Sequence, residues 1–90
     1  MGIALVTIKI MPKSLEVDLE IIQKKVKQIT QETGGEKPTT KTEPIAFGLN
    51  AIILNFALDE SKSIDDIQNK IKELPEISSA EVIDFRRAFG

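Results

Sequence analysis

Apolar and polar side chains alternate in three segments of the chain, a pattern typical of β-strands. Residues 3–11 are rich in β-branched side chains and stop at a proline, and residues 47–58 give a second strong strand signal. Residues 77–88 predict a last strand, with a bulge expected near Ile83 and Asp84. The strand face expected to meet the core carries Val6, Ile8, Ile52, Leu54 and Phe56.

A helical spacing of apolar residues predicts two α-helices between these strands. Asp18 is the expected N-cap of the first helix, which should end near Gln31 because Gly34 and Gly35 follow. Ser63 is the expected N-cap of the second helix. The apolar stripes are Leu19, Ile22, Val26 and Ile29 in the first helix and Ile64, Ile67, Ile71 and Leu74 in the second.

The segment after the first helix, residues 36–43, is polar, Thr-rich and interrupted by a proline, which predicts a loop or an irregular edge strand. Residues 59–62 are expected to form a turn. Residues 22–29 align with residues 67–74 at an offset of 45, with four of eight positions identical. This similarity indicates two strand–helix–strand halves.

Two such halves in succession predict an α+β fold of the ferredoxin-like split βαβ type, with the order β-α-β-β-α-β. Right-handed crossovers place both helices on one face of a four-stranded antiparallel sheet of order 4-1-3-2. A chain of 90 residues fits one domain, residues 1–90. The other sheet face would carry an apolar patch suited to a partner or a dimer: Ile3, Leu5, Leu49 and Ile53.

The chain has no Cys and no His, which excludes disulfides, thiolate metal sites and the commonest nucleophiles and bases. We therefore expect no catalytic residue, no resident metal and no cofactor. A carboxylate–magnesium enzyme remains an alternative through Glu16, Asp18 and Glu20. These residues lie at a predicted helix start, however, where interaction with the helix dipole explains them more simply.

The 12 basic and 14 acidic residues give a formal net charge of −2, which argues against direct binding of nucleic acid through its phosphates. The apolar stretches are too short to span a bilayer, and the N-terminus does not have the pattern of a signal peptide. We expect a cytoplasmic protein without a membrane partner. A small-ligand regulatory domain remains possible, because such sites often consist of backbone groups.

Residues 43–48 bring a proline, an aromatic residue and a glycine together before the second strong strand. Pro44 fixes its own φ, and Gly48 permits an unusual backbone dihedral. Phe47 either closes one end of the core or is exposed as an apolar anchor for a partner. Both interpretations fit the sequence.

Two adjacent arginines, Arg86 and Arg87, lie near the end of the last predicted strand. Adjacent strand residues face opposite ways, so at most one of them can lie on the helix-covered face. They form either a solvated strand end or a fixed positive charge suited to a phosphate, a carboxylate or an acidic partner.

These segments, taken together, resemble the archaeal elongation factor 1-beta family of translation guanine nucleotide exchange factors and the catalytic C-terminal domain of the eukaryotic counterpart. The resemblance covers essentially the whole chain. Its most specific part is Pro-Ile-x-Phe-Gly at residues 44–48. It also includes Lys-Ile-Met-Pro at 9–12, Val-Asp-Leu-Glu at 17–20 and the segment from Glu81 to Arg87.

The resemblance implies exchange of GDP for GTP on the GTPase elongation factor 1-alpha, bound in its GDP-bound and nucleotide-free forms. It implies partner contacts by Pro44, Ile45, Phe47 and Gly48, with Phe47 in the position of an aromatic residue that contacts the GTPase. Arg87 matches a lysine that reaches toward the magnesium and phosphate site of the GTPase, and this change from lysine is a departure. Arg86 is the alternative, since a shift of one residue exchanges the two faces. A GTPase-binding module without exchange activity is the competing function.

Overall fold

The structure, a computed structural model, describes residues 2–89. Met1 and Gly90, which belong to the predicted domain, lie outside the described residues. The elements in chain order are β1 (Ile3–Pro12), α1 (Leu19–Glu32), β2 (Glu36–Pro44), β3 (Asn50–Asp59), α2 (Ile64–Lys72) and β4 (Ile77–Phe89). The four strands form one antiparallel sheet of order β2-β3-β1-β4. The predicted ferredoxin-like split βαβ fold is confirmed.

The core lies between the two helices and one face of the sheet. Even-numbered side chains of β1 and β3 are buried there, as the alternation predicts. Ile22 and Val26 of α1 and Ile67 and Ile71 of α2 pack on the same face. The fully buried large side chains are Val6, Ile8, Ile10, Ile22, Val26, Thr30, Ile52, Leu54, Leu58, Ile67 and Ile71.

Both helices begin at the predicted caps. The Asp18 carboxylate accepts the backbone N–H of Glu20 at 3.0 Å, which satisfies a donor that the first helical turn leaves free. The Ser63 hydroxyl accepts the N–H of Asp66 at 3.4 Å. At the other end of α1, Gly34 has φ +102°, a left-handed value that stops the helix where the sequence predicts.

Two strands differ from their predicted form. Residues 36–43, left open as a loop or an irregular strand, form the edge strand β2, whose register slips where Lys37 takes φ +52°. The prediction that β3 starts at residue 47 is wrong, because the strand begins at Asn50. The cause is two successive left-handed residues, Phe47 and Gly48, which an extended strand cannot contain.

The face away from the helices exposes less of the predicted apolar patch than the sequence suggests. Leu5 is half-exposed, but Ile53 is buried. Ile53 lies in register between Lys9 of β1 and Lys41 of β2, whose aliphatic stems are suited to cover it. Leu49 is absent from the patch for a different reason, since it lies in the turn before β3.

Candidate functional site

The hairpin tip, residues 45–49, joins β2 to β3. The N–H of Ile45 donates to the Leu49 carbonyl at 2.8 Å, and the N–H of Leu49 donates to the Ala46 carbonyl at 3.3 Å. Between them, Phe47 has φ 64° and ψ 28°, and Gly48 has φ 78°. Two left-handed residues in succession reverse the chain within a short 3₁₀ turn.

This backbone turns Phe47 outward. Its side chain is 92% exposed, so the interpretation that it closes one end of the core is wrong. Pro44 is exposed at the end of β2, and Ile45 is partly buried. Gly48 is exposed, and a Cβ placed on it would lie 3.6 Å from the side chain of Leu15. The tip therefore displays one aromatic ring on a backbone fixed by hydrogen bonds.

The arginine end of the sheet is formed by Arg86 and Arg87 of β4, beside the start of β1. Arg87 lies opposite Ala4 and Arg86 lies opposite Leu5. Ala4 faces the core and Leu5 faces away from it, so the two arginines lie on opposite faces, as predicted. Arg87 is on the helix-covered face. A register shift at Ile83 confirms the predicted bulge in β4, and this bulge determines which arginine meets which face.

Each arginine pairs with a carboxylate. Arg87 Nε donates to Glu60 Oε2 at 2.6 Å, and Arg86 Nε lies 3.0 Å from Asp84 Oδ2. The side chains of Arg86 and Asp84 are 77% and 45% exposed, both on the same strand. Those of Arg87 and Glu60 are 65% and 27% exposed and join β4 to the turn after β3. The Arg87 pair is therefore the more shielded of the two.

An open groove of about 450 Å³ lies beside the Arg87–Glu60 pair. It runs between the end of β4 and the turn from β3 to α2. Phe85 lies two residues before Arg87, and both line this groove with Leu58, Ile64 and Lys62. The guanidinium at the arginine end thus lies at the edge of a partly apolar depression.

The structure does not bring Phe47 and the arginines together. Arg87 pairs with Ala4 at one end of β1, whereas the hairpin tip lies beside Pro12 at the other end. Eight residues of strand separate these ends, a distance of roughly 26 Å. The longest dimension of the molecule is 42 Å. A partner that contacts both ends must therefore span most of the length of the sheet.

Two carboxylates have pKa values below their usual range. At the arginine end, the backbone N–H of Ser61 donates to Asp59 and lowers the pKa of that carboxyl from its ordinary 3.8. At the hairpin end, Lys25 Nζ lies 2.8 Å from Glu76 and lowers the pKa of Glu76 from its ordinary 4.5. Both bonds favour the ionised form of the carboxyl and connect a loop to its neighbouring element.

The carboxylates considered for a magnesium enzyme do not converge. Asp18 caps α1, and within residues 2–89 no three acidic side chains lie close enough together to hold a metal ion. Neither of the helices in this part of the chain has the length and apolar character needed to cross a bilayer.

Sequence reasoning missed two residues, one at each end of the sheet. Glu60 belongs to the predicted turn at residues 59–62, but no local pattern indicates that its carboxylate meets Arg87, 27 positions away. Leu15 is exposed between polar residues of the loop after β1 and lies against the hairpin tip. A lone leucine in a polar loop is the one sequence signal from which Leu15 could have been identified.

Comparison with protein families gives a match over residues 5–88 to the EF-1 guanine nucleotide exchange domain. This range contains the hairpin tip and both arginines. It leaves out only the first four and the last two residues of the chain.

Three archaeal proteins named elongation factor 1-beta are similar over nearly their whole length. The one from Nanoarchaeum equitans is 36% identical, covering 89% of this chain and 99% of that protein. The one from Methanobrevibacter smithii is 34% identical, covering 97% and 98%. The one from Archaeoglobus fulgidus is 34% identical, covering 93% and 92%.

Proposed function

The chain belongs to the family of EF-1 guanine nucleotide exchange domains, and we propose that it promotes release of GDP from elongation factor 1-alpha and reloading with GTP during translation elongation. The observation that carries this proposal is the match over residues 5–88, which includes both exposed ends of the sheet. Residues 1–90 then act as a single exchange domain in the cytoplasm, where elongation takes place.

Exchange of this kind is a matter of linked binding equilibria. A protein that binds the nucleotide-free GTPase more tightly than the GDP-bound form weakens GDP binding by the same factor. The partner is therefore elongation factor 1-alpha in both states, and the coupling free energy is the difference between the two affinities. This mechanism needs no covalent chemistry, cofactor, nucleic acid or membrane, and it accounts for a chain without Cys or His.

Phe47 is the proposed anchor of the complex. It is the most exposed large apolar side chain of the described residues, and the hydrogen-bonded turn around it limits the entropy lost on docking. Pro44, Ile45 and Gly48 shape the turn and leave room for close approach of a partner. An aromatic ring buried in a partner's pocket is a common source of binding energy.

Arg87 is the proposed exchange residue. A positive charge brought near the magnesium and phosphate site of the GTPase competes with the cation that holds the nucleotide there. Arg87 is favoured over Arg86 because it matches the family's lysine. It also lies beside the groove, on the same face as the α2 start. Arg86 lies on the other face, where it pairs with Asp84 of the same strand.

Release of fluorescent GDP from the cognate elongation factor 1-alpha, chased with excess unlabelled nucleotide, tests the proposal. Acceleration that rises with the concentration of this protein is the expected result. Unchanged release in the presence of demonstrated binding would reject exchange in favour of a GTPase-binding module. With neither binding nor acceleration, the small-ligand regulatory function would be the better candidate, detectable by thermal stabilisation with a metabolite.

A further inference from the structure

Glu60 has no role in the function proposed so far, yet it makes the shortest ion pair of the described residues. Its Oε2 accepts the Nε–H of Arg87 at 2.6 Å, across 27 positions of sequence. The Glu60 side chain is 27% exposed and that of Arg87 65%. The carboxylate is thus held against the protein while the guanidinium extends into solvent.

The backbone that carries Glu60 is fixed by several hydrogen bonds. The N–H of Glu60 donates to the carbonyl of Gly2 at 3.0 Å, which ties the turn to the beginning of β1. The Asp59 carboxylate accepts the N–H of Ser61 at 2.9 Å, and the Asp59 carbonyl accepts the N–H of Lys62 at 2.9 Å. These bonds fix the backbone of Glu60 beside the start of β1, and from there its carboxylate reaches Arg87 of β4.

A bond at Nε has a specific consequence for an arginine. The guanidinium is planar and rigid, so a partner at Nε fixes the plane in which the terminal nitrogens lie. An unrestrained arginine loses much side-chain entropy when it docks, and a pre-oriented one loses less. Glu60 therefore reduces the ordering cost of Arg87 before any partner arrives.

We propose that Glu60 is a positioning residue for Arg87, holding the guanidinium in the direction in which it meets the anionic nucleotide site of the GTPase. This inference rests on the proposed function. It assigns Glu60 an action through Arg87 alone, without a contact of its own to the GTPase. The arginine side of the pair is exposed, so the pair contributes little to stability, and the exchange rate is the property in which its loss should be measured.

The test measures GDP release from elongation factor 1-alpha at saturating and at low concentrations of the exchange protein. Glu60→Ala should lower the maximal rate about threefold and leave the half-saturating concentration nearly unchanged. Glu60→Gln should retain most of the rate, because its amide oxygen can still accept the Nε–H. Asp84→Ala, which frees Arg86, is the matched control and should leave the rate within error of the parent.

The decisive comparison uses Arg87→Ala as background. If Glu60 acts through Arg87, adding Glu60→Ala to Arg87→Ala should cause no further loss. The same threefold loss without Arg87 would overturn the inference, because Glu60 would then act by itself. So would a Glu60→Ala variant as active as the parent. Urea unfolding of each variant verifies that stability is unchanged.

A measurement without the GTPase separates this inference from the proposed function. In NMR spectra of the free protein, the Arg87 Nε–H should exchange slowly with solvent, and Glu60→Ala should make that exchange fast. A parent protein that does not accelerate GDP release would refute the exchange function, whatever the Nε–H signal does. An Nε–H unaffected by Glu60→Ala would refute the positioning role, even in an active exchange factor.

Discussion

At the hairpin tip the exposed group is apolar and its position is set by backbone, since two left-handed residues and two main-chain hydrogen bonds turn Phe47 outward. At the arginine end the exposed group is charged and its position is set by a side chain, the Glu60 carboxylate bound to Arg87. The first arrangement does not depend on ionic strength, whereas the second is screened by salt. In the proposed function the two ends therefore have different tasks, one supplying affinity and the other an electrostatic change at the nucleotide.

The largest expected effect is at the hairpin tip. Phe47→Ala should weaken binding of nucleotide-free elongation factor 1-alpha by about 2 kcal/mol, or about thirtyfold, because the anchor ring is removed. At saturating concentrations the maximal exchange rate should recover. Titration calorimetry with the nucleotide-free GTPase measures the affinity.

Ile83→Ala is the matched control for Phe47→Ala. Ile83 is also an exposed apolar residue, but it lies in the bulge of β4 between the two ends. Its loss should leave affinity nearly unchanged. Equal losses in both variants would mean that general apolar surface, and not the hairpin tip, determines affinity.

The next largest effect is expected at the arginine end, where a substitution should lower the maximal rate more than the affinity. Arg87→Ala should lower the maximal rate of GDP release about tenfold while changing affinity only about threefold, because the charge acts after docking. Arg86→Ala should change both by less, since Arg86 faces away from the groove. A larger loss with Arg86→Ala would reverse the assignment of the two arginines.

Most of the fold could be predicted from the sequence because the periodicity of apolar residues and the helix caps are local signals. The alternation in β1, the stripes of both helices and the caps Asp18 and Ser63 depend on neighbours a few positions away. The start of β3 could not be predicted in this way. Apolar Phe47 and Leu49 extend the strand pattern, while the left-handed φ of Phe47 is imposed by the turn.

The residues of the candidate site could be predicted in part. The resemblance indicated Phe47 and the arginines, and alternation alone predicted that Arg86 and Arg87 face opposite ways. Which arginine faces the helices depends on the single extra residue of the bulge at Ile83, and a pattern locates a bulge only approximately. The partner Glu60 depends on where the turn after β3 meets the end of β4, which is a property of the whole fold.

A smaller effect, on the free energy of unfolding, tests whether the left-handed backbone at Phe47 serves function at the expense of stability. A left-handed φ costs a bulky residue about 1 kcal/mol or more, and Asn tolerates it better. Phe47→Asn should therefore raise the free energy of unfolding by about 0.5 to 1 kcal/mol while abolishing the anchor. Urea unfolding measures the gain. A destabilised variant would mean that the ring contributes to folding, contrary to its exposure.

The smallest effect concerns acid stability, where the two ends differ in the pH below which each begins to lose stabilisation. The pKa of Glu76 is lowered from 4.5 by the hydrogen bond from Lys25, so the folded state favours the ionised carboxylate. That stabilisation is complete above pH 4.5 and is lost as the pH falls through the lower folded value. The pKa of Asp59 is lowered from 3.8, so its stabilisation is also lost in acid, beginning at a lower pH than that of Glu76.

Urea midpoints between pH 7 and pH 3 should therefore fall less for Glu76→Gln than for the parent. For Asp59→Asn the fall should run parallel to that of the parent above pH 3.8 and should be smaller than the parent's below it. Parallel curves for Glu76→Gln and the parent would mean that the Lys25 bond, and with it this difference between the ends, does not contribute to stability.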